Sequence, residues 1–360
     1  MLNVKTINKN LLLRSMIFAS FLFILTGCSV SFNTGAGGGA IDGGIFRSEN
    51  KGAIWAQKTL ALSAGGRSLD IRALDIGVLE MDPSDPAALY LGSLENGVYY
   101  SYDRGESWQV ISRLGKTAIN SLAVDPGDKC IIYVSVANRV MKSVDCGRFW
   151  DQAYFDNDPA VIIRSVAVDP VESAWIFITT SRGEVIKSVD AGKTWRTVGR
   201  LESDVVKLKI SPSSPDIIFA GTRDAGVFRS FDSGESWQSL EEELKDFKDN
   251  KRFRDLIWSQ SDAGTVFLAN GYGFLKSTDN GDSWVNIELI PPQEETVINS
   301  IAVNPKSVDE LYYVTNTTFY HSIDSGKSWS SKKLPTTRLG WRLIVDPERP
   351  DIVYLGVRKR

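Results

Sequence analysis

A single histidine, His321, and three cysteines, Cys28, Cys130 and Cys146, are the whole stock of imidazole and thiol in 360 residues. A metal site built from several His and Cys ligands is out of reach, and a Ser-His-Asp triad would have to use that one histidine. Chemistry must come from carboxylates or from cations. Two carboxylates at an open cleft could cleave a glycosidic bond, one as acid and the other as base or nucleophile; Asp75, Asp204 and Asp255 are the candidates. Guanidinium and ammonium groups could instead capture a carboxylate, with an aromatic ring to stack on it. The candidates for that are Arg164, Lys207, Arg254 and Arg342, together with Trp341, Asn120 and Asn299. His321, directly after Tyr320, reads as a strand-packing residue. No glycine-rich phosphate loop opens a helix, so no cofactor is expected. With 41 Lys+Arg against 44 Asp+Glu the chain is slightly acidic, which argues against nucleic acid as a partner.

The first residues carry an address. Lys5, Lys9 and Arg14 precede Ser15–Gly27, an uncharged apolar stretch of 13 residues, too short to span a bilayer comfortably but right for a secretory leader. It ends Leu25-Thr26-Gly27-Cys28, which resembles the bacterial lipobox. That resemblance implies a signal peptide over 1–27 and acylation of Cys28, which would hold the chain to a membrane. It further implies a place in the cell envelope on the extracytoplasmic side, in the outer membrane if the cell has one, as Ser29 after the cysteine suggests. Residues 28–43, rich in Gly, Ser and Asn, read as a flexible tether, and 44–360 as the globular body. In a bacterial protein the Asn316-Thr-Thr318 sequon carries no meaning.

What positions the candidates is a repeat. The pattern Ser-x-Asp-x-Gly-x-x-Trp recurs with its aspartate at Asp103, Asp145, Asp190, Asp232, Asp279 and Asp324, and a seventh, degenerate copy has Asn50 in that place. The carboxylate or carboxamide can accept N–H groups of a tight turn, the glycine can supply a positive φ, and the tryptophan can bury its ring beneath. Between copies, an apolar strand ending in Asp/Asn-Pro is followed by a second apolar strand, as in 119–126 and 131–136, 163–170 and 175–180, and 298–305 and 311–316. Each repeat is then strand A, a proline turn, strand B, a hairpin, strand C with the serine, the Asp turn, and strand D from the tryptophan. The tryptophans are spaced 53, 42, 45, 42, 47 and 45 residues apart.

This motif resembles the Asp-box, or BNR repeat, of sialidases, sortilin-type receptors, xyloglucan hydrolases and the photosystem II stability/assembly factor family. The resemblance implies an all-β fold, a seven-bladed β-propeller of four-stranded antiparallel blades, and makes the seven Asp/Asn residues structural. Of these families, the assembly factors and sortilin-like propellers act as binding scaffolds. The arginine-containing segment that sialidases carry before their first blade is absent, and xyloglucan hydrolases hold substrate between two propellers where this chain has one. The 31 residues after Trp329 and the 12 from Gly44 to Trp55 together make one repeat. Strands A and B of the last blade, at 341–345 and 352–357, should therefore be completed by N-terminal strands, leaving no open edge and a monomeric ring. Insertions at Ala61–Asp75 and Glu241–Arg254, the latter with helical spacing of Leu244 and Phe247, fall in D-to-A connections.

Aligning the A strands on their turn proline, or on Gln260, places Gly77, Asn120, Arg164, Val206, Arg254, Asn299 and Trp341 six positions earlier, with Lys207 and Arg342 one position on. These residues open onto the central mouth, opposite the Asp turns. The expected function is non-catalytic recognition there of a protein or peptide partner with acidic groups; the second reading is a glycan-binding or glycoside-hydrolysing propeller. The B–C hairpin around Ala137-Asn138 sets Cys130 opposite Asp145, one position from Cys146. A disulfide is expected there, with two separate buried thiols as the alternative.

Overall fold

The computed structural model describes residues 41–63 and 65–360. The expected leader, Cys28 and the tether up to residue 40 lie outside the described residues. Residues 41–43 lie against the body: Gly43 N–H donates to the Arg72 carbonyl (2.8 Å), and the Asp42 carbonyl accepts from Thr336 Oγ1 (2.7 Å). The body thus takes up the chain slightly before Gly44.

Seven antiparallel four-stranded sheets follow one another, at 76–111, 121–155, 163–200, 205–239, 255–287, 300–333, and 339–358 joined to 45–57; they are blades 1 to 7. In each, strand A packs on the A strands of its two neighbours, so the A strands form a closed ring about the axis. Blade 7 runs A at Leu339–Val345, B at Val353–Arg358, C at Ile45–Ser48 and D at Ala56–Gln57, the registered pair Phe46↔Leu355 joining the two parts of the chain. The split-blade closure is therefore observed. The B strands of blades 1, 3, 4 and 5 are buried along their whole length, as in Leu89–Ser93 and Ile176–Thr180, because both faces meet a neighbouring blade. That is why they read as unbroken apolar runs. Seven core clusters result, one at each seam between blades.

The Asp turns repeat one hydrogen-bond scheme. In blade 1, Ser101 Oγ donates to Asp103 (2.7 Å) and accepts from Gly105 N–H (2.8 Å), while Asp103 accepts from Ser107 N–H (2.9 Å). The glycine is not alone at positive φ: the residue before it, Arg104 here and Cys146 in blade 2, is left-handed as well (57° and 60°). The tryptophans differ from expectation. Trp108 and Trp284 are buried, whereas Trp55, Trp150, Trp195, Trp237 and Trp329 are only half-buried, since the ring lies along the blade flank. In blades 2 to 5 its Nε1 donates to the glycine carbonyl.

A second device on this face joins blade to blade. The residue before the motif serine is a cation in five blades, and four of these reach the left-handed residue of the next turn. Arg47 donates to Arg104 O (2.7 Å), Lys142 to Ala191 O (2.9 Å), Lys187 to Ser233 O (2.9 Å) and Arg229 to Asn280 O (2.7 Å).

The hairpin of blade 2 has the expected register, Val136↔Arg139 through Ile132↔Ser143, and Cys130 and Cys146 are joined as a disulfide. Cys146 N–H donates to Cys130 O (3.0 Å), and the Cα atoms lie 3.9 Å apart, closer than the spacing expected from the hairpin alone. The first insertion forms a hairpin, Leu60–Leu62 with Ser68–Asp70, that adds in parallel to strand D of blade 1 (Ala61↔Trp108). The second is not a helix. It is a series of turns in which Asn250 Nδ2 donates to the Leu244 carbonyl (2.7 Å), the acceptor a continuing helix would need, while Leu244 and Phe247 pack into the blade 4–5 core.

Candidate functional site

At the strand-A starts a cavity of about 560 Å3 opens on the axis. Gly77, Asn120, Arg164, Val206, Lys207, Arg254, Asn299, Trp341 and Arg342 all line it, so the structure brings together every residue expected at the mouth. The A–B ladders show why these side chains turn inward. In blades 1, 3, 4 and 7 the pairing skips one residue, Gly77, Arg164, Val206 and Trp341 respectively. Each is the extra residue of a β-bulge, a device that re-aims a side chain without breaking the strand.

In blades 2 to 6 the next position in the strand ties one blade to the following one. Ser121 Oγ accepts from Val166 N–H (3.0 Å) and Ser300 Oγ from Leu343 N–H (3.2 Å), each in the following blade. Asp255 fills the same slot in blade 5. Its Oδ2 accepts from Ile301 N–H (3.1 Å) and Ser300 Oγ (2.9 Å), and Oδ1 accepts from its own strand's Leu256 N–H (2.9 Å) and pairs with Lys207. Burial pushes the Asp255 carboxyl up, but the charges of Lys207 and Arg342 and these hydrogen bonds outweigh it, holding the group below the ordinary carboxylate range. Burial also pushes the Lys207 ammonium down, and Asp255 opposes this. The pair is an ionic clamp, and Lys207 is not available to a ligand as expected.

Arg164 is likewise engaged. It forks Asp204 with Nε–Oδ1 at 2.9 Å and Nη2–Oδ2 at 2.7 Å, and Arg223 adds a second cation to the same carboxylate (2.8 Å). Asp75, the third candidate carboxylate, pairs with Arg338 (2.6 Å) and Lys359 (3.4 Å). Asn299 is committed to Asn316 Oδ1 (2.9 Å) and Gly340 O (2.8 Å). His321 lies elsewhere, stacked on Tyr312 and bonded to Glu310 (2.8 Å), which agrees with its packing role.

What remains open is a cationic and aromatic patch. Arg254, Arg342 and Arg358 have no carboxylate partner among the described residues, and burial pushes all three guanidiniums below their ordinary value while leaving them charged at neutral pH. Arg358 sits 3.1 Å and Arg342 4.9 Å from the centroid of the Trp341 ring. Arg358, Arg252 and Arg223 had no place in the strand-A alignment: Arg358 ends a B strand, and the other two lie in loops. The one signal for Arg358 is a cation at the mouth end of a B strand that is otherwise apolar. No group of three or more His, Cys, Asp or Glu side chains among the described residues is disposed to hold a metal ion. Such a mouth can bind an anion against an aromatic face, with Asp224 as a further carboxylate in its lining.

No family model matches the chain. By sequence it is similar to a xyloglucanase of Paenibacillus sp, 27% identical, with 46% of this chain and 21% of that protein covered. It is also similar to xyloglucanase Xgh74A of Acetivibrio thermocellus, 26% identical over 43% of this chain and 16% of that protein. The chain spans about a fifth of the length of these curated relatives. Among solved structures it is similar to the GH74 xyloglucanase from Xanthomonas campestris, with a TM-score of 0.64 and 18% identity over 79% of this chain and 51% of that one. It resembles YCF48 bound to D1 peptide at TM-score 0.61 and 14% identity, over 79% of this chain and 92% of that one. YCF48 from Cyanidioschyzon merolae gives 0.59 and 13%, over 79% and 95%. At such identities the solved structures share the seven-bladed fold with this chain, a fold that hosts both an enzyme and a peptide complex.

Proposed function

We propose that this protein is a non-catalytic binding or assembly scaffold that takes up a protein or peptide partner bearing carboxylates at the propeller mouth. The reading is supported by one observation above all: Arg342 and Arg358 lie against Trp341 and Arg254 lines the same mouth, all three without an ion-paired carboxylate among the described residues, while Asp75, Asp204 and Asp255 are each bound to cations. A like-charge cluster of this kind disfavours the folded state unless a ligand uses it. The existence of a peptide complex on the same fold supports the reading by analogy. Cys28, acylated, would hold the scaffold on the extracytoplasmic side of a membrane, and palmitate labelling that disappears in Cys28→Ala tests that part.

The second reading, a glycan-binding or glycoside-hydrolysing propeller, is favoured by the sequence similarity to xyloglucanases. One pair of measurements separates the two. A fluorescent peptide of alternating Glu and Leu, titrated by anisotropy, is expected to bind and to lose affinity as salt rises. Xyloglucan incubated with the protein is expected to yield no new reducing ends. Hydrolysis that vanishes in Asp204→Asn or Asp255→Asn would overturn the scaffold reading.

A further inference from the structure

Away from the mouth, on the flank where blade 1 meets blade 2, a cavity of about 400 Å3 is lined by Leu114, Val136, Met141, Phe149 and Trp150, with Arg113 and Arg139 at its edge. Three observations coincide at this seam, although blade 7, with Ile54, also lacks the turn hydroxyl and the blade 5–6 and 6–7 seams also lack the cation tie. Turn chemistry favours a hydroxyl at the residue before the motif tryptophan, because Ser107, Thr194, Ser236, Ser283 and Ser328 each donate to their aspartate Oδ2 at 2.5–2.6 Å. Blade 2 gives up that bond and places Phe149 there, 63% exposed, with Asp145 keeping the Phe149 N–H (2.8 Å) and the Ser143 hydroxyl (2.9 Å). Secondly, the cation that ties neighbouring blades is replaced here by Tyr100, whose hydroxyl donates within its own blade to Gln109 (2.6 Å), so the seam carries no such crossing bond. Thirdly, Arg113 is held 4.7 Å over the Phe149 ring and Arg139 5.7 Å from the Phe155 ring, and neither has a carboxylate partner among the described residues.

From these we infer that the blade 1–2 seam is a second binding site, for a small aryl or aliphatic carboxylate whose apolar body lies on Phe149, Trp150 and Met141 and whose carboxylate meets Arg113 and Arg139. The volume falls in the range of small-ligand pockets, which combine apolar walls with a few polar groups that fix orientation. The two guanidiniums complement an anion, and the rings beneath them hold the fork in place. This site is independent of the mouth and does not rest on the function proposed for it.

Ligand-observed NMR with the full-length chain and phenylbutyrate as probe tests the assignment, with phenylbutanol as the uncharged control. Phenylbutyrate is expected to bind and phenylbutanol to bind about tenfold more weakly, the loss of one charged hydrogen-bonded contact. Phe149→Ser installs the residue that four other turns already carry, so it should fold and should weaken binding about tenfold. The exposed pair Arg113→Gln/Arg139→Gln should do the same without moving the melting temperature. In Arg254→Glu, which weakens the mouth as a competing carboxylate site, phenylbutyrate binding should persist and keep its dependence on Phe149. Equal affinity in wild type and Phe149→Ser, equal affinity for acid and alcohol, no binding by wild type, or a loss produced by Arg254→Glu alone would each overturn the proposal.

Discussion

On the turn face, Arg47, Lys187 and Arg229 are almost fully buried, with side-chain exposures of 5%, 3% and 2%, and each ends on a backbone carbonyl of the next blade. At the mouth, Arg254, Arg342 and Arg358 are half-buried, the last two against one indole, and end on no carboxylate among the described residues. Both sets of cations have lost much of their water. The first set has recovered it as hydrogen bonds to fixed acceptors, so its charge belongs to the fold. The second set has no directly paired carboxylate, and its charges are eased only at a distance, by Asp255 and Glu80 for Arg342, Asp249 for Arg254 and Asp75 for Arg358. Cation counts alone would not separate these cases; the acceptor at the end of each side chain does.

The largest effect should come from breaking the turn-face arrangement outright. Deleting residues 44–57 removes strands C and D of blade 7, with Ile45 and Phe46 from two seam cores and the Arg47 tie, and exposes the Val353–Arg358 edge. Losing even one such core side chain costs about 2–5 kcal/mol, so the expected outcome is loss of the cooperative thermal transition. An unchanged melt would refute closure by these strands.

A smaller loss is expected on replacing one tie. Arg229→Met keeps the apolar length but leaves Asn280 O and Asp282 without their donor, and should destabilise by about 2 kcal/mol in denaturant titration. Acid probes the same face through its aspartates. Hydrogen bonds from Thr194 and Ser328 hold Asp190 and Asp324 at about 2, and those from Ser283 and Ser277 hold Asp279 there against the opposing effect of burial. Folded values below the unfolded one of about 3.9 mean that these groups contribute fully above that pH and lose their contribution as pH falls toward about 2. Melting temperatures measured in that window should drop steadily, and less so in Asp190→Asn.

The smallest stability effect belongs to the mouth. Arg254→Glu with Arg358→Glu should leave the melting temperature unchanged or slightly raised while weakening capture of the Glu/Leu peptide more than tenfold. A clear destabilisation would show that the mouth cations are structural after all. Arg164→Glu, by contrast, should destabilise by setting a second carboxylate against Asp204 with only Arg223 left to match the two.

The repeat makes the blades legible in the sequence: a period near 45 residues, a proline turn in six of the seven copies and a motif tryptophan fix the order of four strands, and the shortfall at each end points to the split blade. The mouth positions are legible for the same reason, since equal offsets from the proline, or from Gln260 in the fifth blade, must lie at equal heights around the axis. Which cations are free is not. Arg164 meets Asp204 40 residues on, and Lys207 meets Asp255 48 residues on, pairings that depend on the rotation between blades and leave no local pattern. The bulges that aim Arg164 and Trp341 inward are equally hidden, because a bulge is a property of two strands in register. Leu244 and Phe247 misled in the opposite direction: their spacing suits a helix, but the Asn250 amide competes for the carbonyl that would have carried it on.

Arg338 gathers the two ends of the described chain. Its guanidinium donates to Ala73 O, Leu74 O and Asp75, and lies 3.8 Å from Asp42, while Asp75 also accepts from Lys359 N–H (2.6 Å). Residues 42 and 359 therefore meet at one ion pair, within reach of a short peptide linker. A circularly permuted chain, joined there and reopened in the hairpin of another blade, would keep every strand neighbour while making blade 7 continuous. The chain break now inside blade 7 would then be a matter of where the chain is cut, and could be moved to a hairpin on either face.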